Sequence, residues 1–324
     1  MTTPMTSLAL SKMNSTPHAD ALTLAAPSPW KIRVHKATSA LARSPLAHRV
    51  FSALLLCGAP ALGAYAYFIE PTWLKIRRLK LKVPHLPLSL DGFRIVQLSD
   101  LHVGSVVPHW FLHHVVDTAR ALEPDLIVLT GDYVHTRPDD VADITTLLRP
   151  LHASTGIFAV LGNHDYAVNY AGDTGIPGVE KVMITALERA GIRVLRNEWL
   201  PLGGGSRPLA LVGIDELLSG HARLTPLHEV PTPWPRLVLS HNPDIIPFLP
   251  ENSFDLLLCG HTHGGQIRIP PFPPPVTATR HRCYWGGLFS LGRGQAYVTT
   301  GIGYTWRARL AARPECVCIT LTGQ

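Results

Sequence analysis

The sequence predicts a fold of the α/β class, in which strands and helices alternate along the chain. From residue 93 onward, short apolar runs of strand length alternate with stretches of helical period, which is typical of βαβ units. Two apolar runs, in DLIVLTGD and FDLLLCGH, are nearly unbroken, as expected for strands that are buried on both faces. The second half of the chain is richer in strands than in helices and predicts a mixed sheet.

Each element is assigned from its local pattern. The first unit comprises a strand at 93–98, an amphipathic helix at 110–122 and a strand at 126–129. Further helices are predicted at 139–148 and 179–190. The remaining predicted strands are 157–161, 194–195, 209–214, 237–239, 256–259, 267–269, 296–299 and 317–321.

The basic charge of the chain is concentrated near its N-terminus. Residues 1–83 carry 11 Lys and Arg against 2 Asp and Glu, whereas the remainder carries 18 against 21, a net charge of −3. A nucleic-acid-binding protein normally carries its basic surface on the folded domain. We therefore expect no nucleic-acid partner.

Three segments are predicted along the chain. Residues 1–45, rich in Ser, Thr, Pro and Ala, form a flexible basic arm. Residues 46–73 form a transmembrane anchor, because the run 50–69 is uncharged over about 20 residues, enough to cross a hydrocarbon core. The alternatives are a buried core helix and a cleaved signal peptide, and the long segment ahead of the run disfavours the latter. Residues 74–324 form the folded domain.

The orientation of the predicted single-pass anchor has no clear charge signal. Five basic residues precede the uncharged run and five follow it, so the positive-inside rule favours neither face. The five cysteines, an odd number in a chain of 324 residues, do not suggest a disulfide framework. Free thiols favour a reducing compartment and hence the cytoplasmic face of the membrane.

Polar residues that commonly bind metals follow the apolar strands. Asp100 and His102 follow the first strand, Asp132 the second and Asn163 the third. The spacings of 32 residues from Asp100 to Asp132 and 31 from Asp132 to Asn163 each match a βαβ unit of about 30 residues. Such units return their loops to one edge of the sheet, so these side chains are expected to converge there. Three histidines of later strand ends complete the set: His241, His261 and His263.

The types of side chain in this set point to a site for divalent cations. Carboxylates, imidazoles and an amide carbonyl, without a thiolate, favour Mn, Fe or Zn over Ca or Mg. A single histidine on a loop is more often structural than a ligand. The recurrence of five such clusters, each at the end of a strand, favours a metal site over five unrelated structural roles.

The blocks DLH, GD, GNHD, SH and GHTHGGQ resemble the calcineurin-like metallophosphoesterase superfamily. The likeness is greatest to its membrane-anchored bacterial branch, of the YaeI and YkuE kind, which also shows Tyr-x-x-Gly and Gly-Ile-Gly, here at 284–287 and 301–303. It covers roughly residues 74–322. The resemblance implies an α/β/β/α sandwich of two packed mixed sheets flanked by helices, and a location at the bacterial inner membrane.

The resemblance also implies two divalent metal ions, Mn, Fe or Zn, as cofactors. Asp132 would bridge them. The first cation would also be bound by Asp100, His102 and His263. The second would also be bound by Asn163, His241 and His261. His164 would bind no metal and would act as the catalytic residue that faces the phosphate and the leaving group.

The roles of three neighbouring residues are less defined. Asp165 either orients His164 or caps the start of a helix, and both interpretations stay open. Tyr133 and Tyr166 are candidates for contact with the substrate.

The function implied is hydrolysis of a phosphodiester or a pyrophosphate by a hydroxide that bridges the two metals. We hypothesise a lipid-linked substrate, such as an acylated nucleotide-sugar, because an anchored enzyme meets lipid-borne phosphates at a raised effective concentration. One alternative is a nuclease of the same superfamily, which the charge of the domain disfavours. The other is a non-catalytic interaction module stabilised by metal, which the retention of every ligand disfavours.

Overall fold

The computed structural model describes residues 49, 52, 54–135, 141–204 and 207–323. The chain comprises two units, residues 1–59 and residues 60–324. The predicted arm at 1–45 lies outside the described residues, as does part of the predicted anchor. Within the described part of the chain, no helix is both long enough and apolar enough to cross a membrane. The anchor therefore stays a prediction.

Short helical segments lead into the folded domain. A π-helical turn at Leu54–Gly58 precedes α1 (Ala59–Ala64), a second π-helical turn at Tyr65–Ile69 and a 3₁₀ turn at Glu70–Thr72. The first strand follows almost at once. The other α-helices of the described residues are α2 (His109–Ala121), α3 (Val141–Leu148), α4 (Val179–Arg189) and α5 (Thr225–Glu229).

The strands of the described residues form two sheets of six. The first sheet contains β1 (Lys75–Lys82), β2 (Arg94–Leu98), β3 (Leu126–Thr130), β4 (Ile157–Val160), β5 (Arg193–Val194) and β12 (Glu315–Thr322). The second contains β6 (Glu198–Leu202), β7 (Leu209–Gly213), β8 (Arg236–Leu239), β9 (Leu256–Cys259), β10 (Gly287–Leu291) and β11 (Gly294–Val298). Their orders are β1-β12-β2-β3-β4-β5 and β10-β11-β9-β8-β7-β6.

Both sheets are mixed. In the first, β2 to β5 run parallel, whereas β12 pairs antiparallel with β2. In the second, β7, β8, β9 and β11 run parallel, with antiparallel strands at both edges. The predicted α/β class with two mixed sheets is confirmed.

Apolar side chains fill the space between the sheets and the space under the helices. Ile95 and Val128 of the first sheet belong to the same buried cluster as Leu211, Leu239 and Leu258 of the second. Burying one such side chain completely contributes about 1.5–3 kcal/mol. A separate cluster joins the other face of the first sheet to α2, α3 and α4. This packing on both faces fixes the strands whose ends carry the polar residues.

Among the strands, three observed ones were not predicted and one predicted one is not found in the described residues. β1 was not predicted, because its sequence KIRRLKLK alternates charged and apolar residues and resembles the basic flank of an anchor. Such charges are typical of an edge strand, where they oppose pairing with other chains. β6 and β10 were also not predicted. The strand predicted at 267–269 is wrong, since Ile267 makes only one isolated bridge, to Leu310.

Candidate active site

The seven predicted ligands meet in one buried cluster at the carboxyl ends of β2, β3, β4, β8 and β9, where five loops converge. The Nε2 atoms of His102 and His263 lie 3.1 Å apart. His241 Nε2 lies 3.2 Å from the Nδ1 atom of His261. Residues separated by 161 positions in sequence are thus neighbours here.

The ligand atoms of the cluster fall into two groups. Asp100, His102 and His263 form one group of metal-binding geometry, and the other consists of Asp132, His241 and His261. The Asp132 Oδ2 atom connects the two groups, because it lies 3.2 Å from His241 Nε2 and 3.7 Å from His102 Nε2. A carboxylate in this position can serve two cations at once.

Asn163 has its amide orientation fixed by the backbone. Its Nδ2 atom donates to the Val168 carbonyl at 2.6 Å. The Oδ1 atom is buried and has no hydrogen-bond partner among the described residues. The same holds for the Oδ2 atom of Asp100. Two buried oxygen acceptors without donors are costly unless a cation or another donor satisfies them.

Backbone carbonyls also set the ring orientation of three histidines. Nδ1 of His241 lies 2.7 Å from the Thr130 carbonyl, Nε2 of His261 lies 3.2 Å from Ala278 O, and Nδ1 of His263 lies 3.2 Å from Gly303 O. Each of these ring nitrogens donates, so in the neutral rings of His261 and His263 the other ring nitrogen is an acceptor that faces the cluster. This arrangement is typical of histidines that bind metals. His241 differs, because burial would lower its pKa but the nearby Asp132 raises it to about 10, and it must lose a proton before it binds a cation.

The electrostatics keep three histidines neutral and therefore able to bind a cation. Burial lowers the pKa of His261 to about 4. Burial also holds the pKa values of His102 and His263 well below the ordinary value. Burial would raise the pKa of Asp132, but the positive charge of His241 and the other nearby histidines lowers it well below the usual range.

The pKa of Asp100 leads to a testable pH dependence. Burial raises this pKa to about 6. A carboxyl group must lose its proton before it binds a metal. Below about pH 6, the affinity of metal-free protein for its first cation is therefore expected to fall by up to about tenfold per pH unit.

Calorimetric titration with Mn²⁺ between pH 5 and pH 8 measures this dependence. The Asp100→Asn variant should bind the first cation weakly throughout and should lack the step near pH 6. A wild-type affinity that stays constant from pH 5 to pH 7 would contradict the assignment of Asp100 as a ligand.

The backbone of the cluster is strained at the ligands themselves. Five of the seven predicted ligands have left-handed backbone conformations: Asp100, His102, Asp132, His261 and His263, with φ between 48° and 71°. Residues other than glycine rarely adopt this conformation, and it is concentrated at functional sites. These backbone conformations therefore lower the stability of the fold, and they direct the ligand side chains into the cluster.

Two glycines allow the loops to approach one another. A Cβ atom at Gly131, whose φ is +92°, would lie 2.6 Å from the Nδ1 atom of His241. A Cβ atom at Gly260 would lie 2.6 Å from the Oδ2 atom of Asp100. The blocks GD and GHTH thus need glycine because a proposed ligand occupies the space beside it.

His164 lies at the edge of the cluster, where its side chain is partly exposed. Its Nδ1 atom donates to the His135 carbonyl at 2.6 Å, which leaves Nε2 as the free acceptor or donor. The His135 ring stacks on the His164 ring at a centroid distance of 5.4 Å. The His164 ring also contacts His102 edge-on at 4.9 Å. The ring is therefore held beside the cluster, and His164 lines the pocket there.

Asp165 has contacts that neither sequence interpretation described. Its carboxylate accepts hydrogen bonds from the backbone N–H groups of Gly162, Asp132 and Tyr133, at 2.8–2.9 Å. It does not orient His164, whose Nδ1 binds a carbonyl instead. It is also not the N-cap of the 3₁₀ turn at His164–Tyr166, since Asn163 occupies that position. Asp165 joins the loops after β3 and β4 and so positions two ligands.

The two tyrosines considered for substrate contact are packing residues. Tyr133 is buried, and its hydroxyl donates to the Val160 carbonyl at 2.7 Å. The Tyr166 hydroxyl donates to Asp215 at 2.7 Å, and its ring stacks on His221. Neither hydroxyl is available to a ligand.

Two residues near the cluster were missed at the sequence level. His135 contacts both His102 and His164, and the three rings could together hold a cation. Arg309 is fully buried, and its guanidinium donates to the carbonyls of Thr300 and Gly303. The Gly303 carbonyl also accepts from His263, so Arg309 fixes the group that orients a ligand. Only the position of His135 in the loop after β3 offered a signal.

The donor set fits divalent cations. It combines two carboxylates, an amide oxygen and imidazoles, and two of its buried oxygen atoms, Asp100 Oδ2 and Asn163 Oδ1, lack other partners among the described residues. No thiolate belongs to the set.

Comparison with known proteins identifies the family. The sequence profile of the calcineurin-like phosphoesterase family matches residues 93–265, more than half of the chain. The chain is 34% identical over 260 residues to the phosphodiesterase YaeI of Escherichia coli K12, a match that covers 79% of this chain and 92% of that protein. The chain belongs to the calcineurin-like phosphoesterase family. The resemblance drawn from its sequence blocks is confirmed.

Other relatives within the calcineurin-like phosphoesterases extend over most of the chain. The uncharacterized metallophosphoesterase YkuE of Bacillus subtilis 168 is 33% identical over 281 residues, which cover 84% of this chain and 94% of that protein. The UDP-2,3-diacylglucosamine pyrophosphatase LpxG of Chlamydia muridarum is 29% identical over 311 residues, with coverage of 82% and 94%. The named activities are those of hydrolases, and this chain is a phosphoesterase of the same superfamily.

Proposed function

We propose that this protein is a two-metal phosphodiesterase or pyrophosphatase that acts on a lipid-linked substrate. The observation that carries the proposal is the pair of buried donor groups that share Asp132 Oδ2. Two cations, when bound there, would polarise the phosphoryl oxygens and activate a water molecule as the nucleophile.

The seven proposed ligands would hold the two cations in place. Asp100, His102 and His263 would hold the first cation, Asp132 both, and the second would also use Asn163, His241 and His261. The buried setting strengthens each of these interactions, because the local dielectric is low.

His164 is proposed to act on the substrate. Its Nδ1 proton is held by the His135 carbonyl, so a proton for the leaving oxygen would pass through Nε2. A histidine in this role stabilises the charge that develops on the leaving group as the bond to phosphorus breaks. Its position on the rim of the cluster gives it access to a substrate that lies over the proposed metals.

The pocket over the cluster supports a substrate with an apolar part. It has a volume of about 370 Å³, and Asp132, Asn163 and His164 line it. Val276 and Trp306 also line it, and 73% and 55% of their surfaces are exposed. Exposed apolar side chains at a polar pocket suit a ligand that carries acyl chains.

The pocket rim also contacts the C-terminal part of the predicted anchor, residues 46–73. Arg307, next to Trp306, donates through Nε to the Tyr67 carbonyl at 3.2 Å, and its guanidinium lies 5.5 Å from the Tyr67 ring centroid. If residues 46–73 anchor the chain, the pocket opens close to the bilayer surface. A lipid-borne phosphate would then be presented at a high effective concentration.

The substrate proposal is tested by comparing acylated and soluble substrates. The ratio kcat/KM should be at least about tenfold higher for a diacylated UDP-sugar in detergent micelles than for the same UDP-sugar without acyl chains. Turnover of a soluble aryl phosphodiester serves as the control for an intact site. Equal kcat/KM values for the two substrates would exclude the lipid proposal and would not affect the phosphoesterase assignment.

A further inference from the structure

A second cavity lies away from the proposed metal ligands. Its volume is about 450 Å³, and it is bounded by the segment that precedes β1, the start of β1, and β10 and β11. None of the seven proposed metal ligands lines it. Four cationic side chains do: Lys75, Arg77, Arg268 and Arg313.

The two carboxylates in the same cavity offset only part of this positive charge. Glu70 accepts from the Ala312 N–H at 2.7 Å, and Glu315 accepts from the Tyr297 hydroxyl at 2.8 Å and the Thr300 N–H at 3.0 Å. Within the described residues, no ion pair joins either carboxylate to a cation. Four positive charges against two negative charges leave a surplus of two that suits an anion of similar charge.

Arg268 presents a pre-oriented guanidinium to the cavity. Its Nε atom donates to the Gly264 carbonyl at 2.9 Å, and its plane lies 4.6 Å from the centroid of the Trp285 ring. Its terminal nitrogens form no hydrogen bond with the described part of the chain. A fixed guanidinium fork with free N–H groups matches the oxygens of a phosphate.

Apolar surface adjoins the cavity. The Arg313 guanidinium lies 4.0 Å from the ring centroid of Trp73, and half of the Trp73 surface is exposed. Ile69, four residues earlier, is also half exposed. Cationic groups beside exposed aromatic and aliphatic side chains are typical of surfaces that meet anionic lipid head groups.

We propose that this cavity is a second phosphate site, which binds a phosphomonoester or phosphodiester group apart from the metal centre. The charge surplus, the fork of Arg268 and the size of the cavity suit a phosphate with its glycerol substituent. The apolar surface at Trp73 suits the acyl chains of an anionic phospholipid whose phosphate lies in the cavity. A soluble phosphate shares the same chemistry, and the experiment separates the two sources.

The test is a calorimetric titration of the full-length, Mn-loaded protein with inorganic phosphate. Two classes of site are expected. Chelation of the metal should remove one class and leave the other. The Lys75→Gln, Arg77→Gln double variant should weaken the remaining class by about 10–100-fold, because two charge-assisted contacts are lost.

The matched control is Lys80→Gln on the same strand. Lys80 is exposed on the opposite face of β1 and does not line the cavity, so its loss should leave phosphate binding unchanged. All variants should hydrolyse a soluble aryl phosphodiester as the wild type does, which shows that they are folded. This readout also separates failure of the second site from failure of the proposed catalytic function.

A lipid arm of the experiment identifies the source of the phosphate. Neutral detergent micelles that contain phosphatidylglycerol should compete for the second site more strongly than glycerol 1-phosphate does if the ligand is a head group. Equal competition assigns the site to soluble phosphates. The proposal is overturned if chelated protein binds no phosphate, or if Lys80→Gln weakens binding as much as the double variant does.

Discussion

Replacement of Asp132 by alanine is expected to abolish binding of both cations and to lower kcat/KM by about 10³-fold or more, since the two cations together supply several kcal/mol of charge stabilisation. The reason is geometric. Among the carboxylate oxygens of the described residues, only Asp132 Oδ2 lies within 4 Å of a histidine in both donor groups, at 3.2 Å from His241 and 3.7 Å from His102. Elemental analysis of the reconstituted protein, alongside turnover of an aryl phosphodiester, measures both effects.

The matched variant for Asp132→Ala is His263→Ala. His263 belongs to one donor group only, so its loss should reduce the metal content by about one equivalent and spare the second cation. If Asp132→Ala instead keeps one full equivalent of tightly bound metal, the bridging role is excluded. If the wild type binds at most one equivalent, the two-metal proposal itself fails.

Residues that come directly after a strand could be predicted from the sequence. A buried strand shows as an apolar run, and the residue at its end must leave the sheet. Asp100, Asp132 and Asn163 occupy such positions, and the length of a βαβ unit alone predicts that they return to one edge. The structure places them together because the parallel order β2-β3-β4 is the simplest one that such spacing allows.

Contacts between segments that are far apart in sequence could not be predicted from local patterns. Arginine is usually a surface residue, yet Arg309 is buried. Its guanidinium donates to backbone carbonyls that come together only in the folded chain. His135 lies five residues beyond the end of β3, outside the blocks that mark the site. β1 pairs with β12 across about 240 residues, and its charges conceal its strand character. A hydrophobic period in the sequence indicates that one face of an element is buried. A solvated edge strand buries few of its side chains, so its hydrophobic period is weak.

The tasks of individual polar residues were also hard to assign from sequence. Asp165 was expected to orient His164 or to cap a helix, whereas its carboxylate binds three backbone N–H groups. From sequence alone, an aspartate next to a histidine is equally compatible with orienting the histidine, capping a helix or binding backbone N–H groups. The choice depends on how the loops after β3 and β4 approach each other, which their lengths do not determine.

Replacement of His164 by alanine is expected to keep both cations and to lower kcat by about 10²–10⁴-fold, the range for loss of a general acid. The His164 side chain contacts the cluster only through its ring and donates to the His135 carbonyl. The backbone N–H of residue 164, which donates to Asp132 Oδ1 at 3.0 Å, is kept in the alanine variant, so the donor groups around Asp132 remain complete. The loss should be larger for an alkyl leaving group than for a nitrophenolate, because only the poorer leaving group needs a proton as it departs. His114→Ala, an exposed histidine on α2, is the control and should change neither metal content nor turnover. Unchanged kcat with both leaving groups would contradict the catalytic role, and loss of metal from His164→Ala would make His164 a ligand instead.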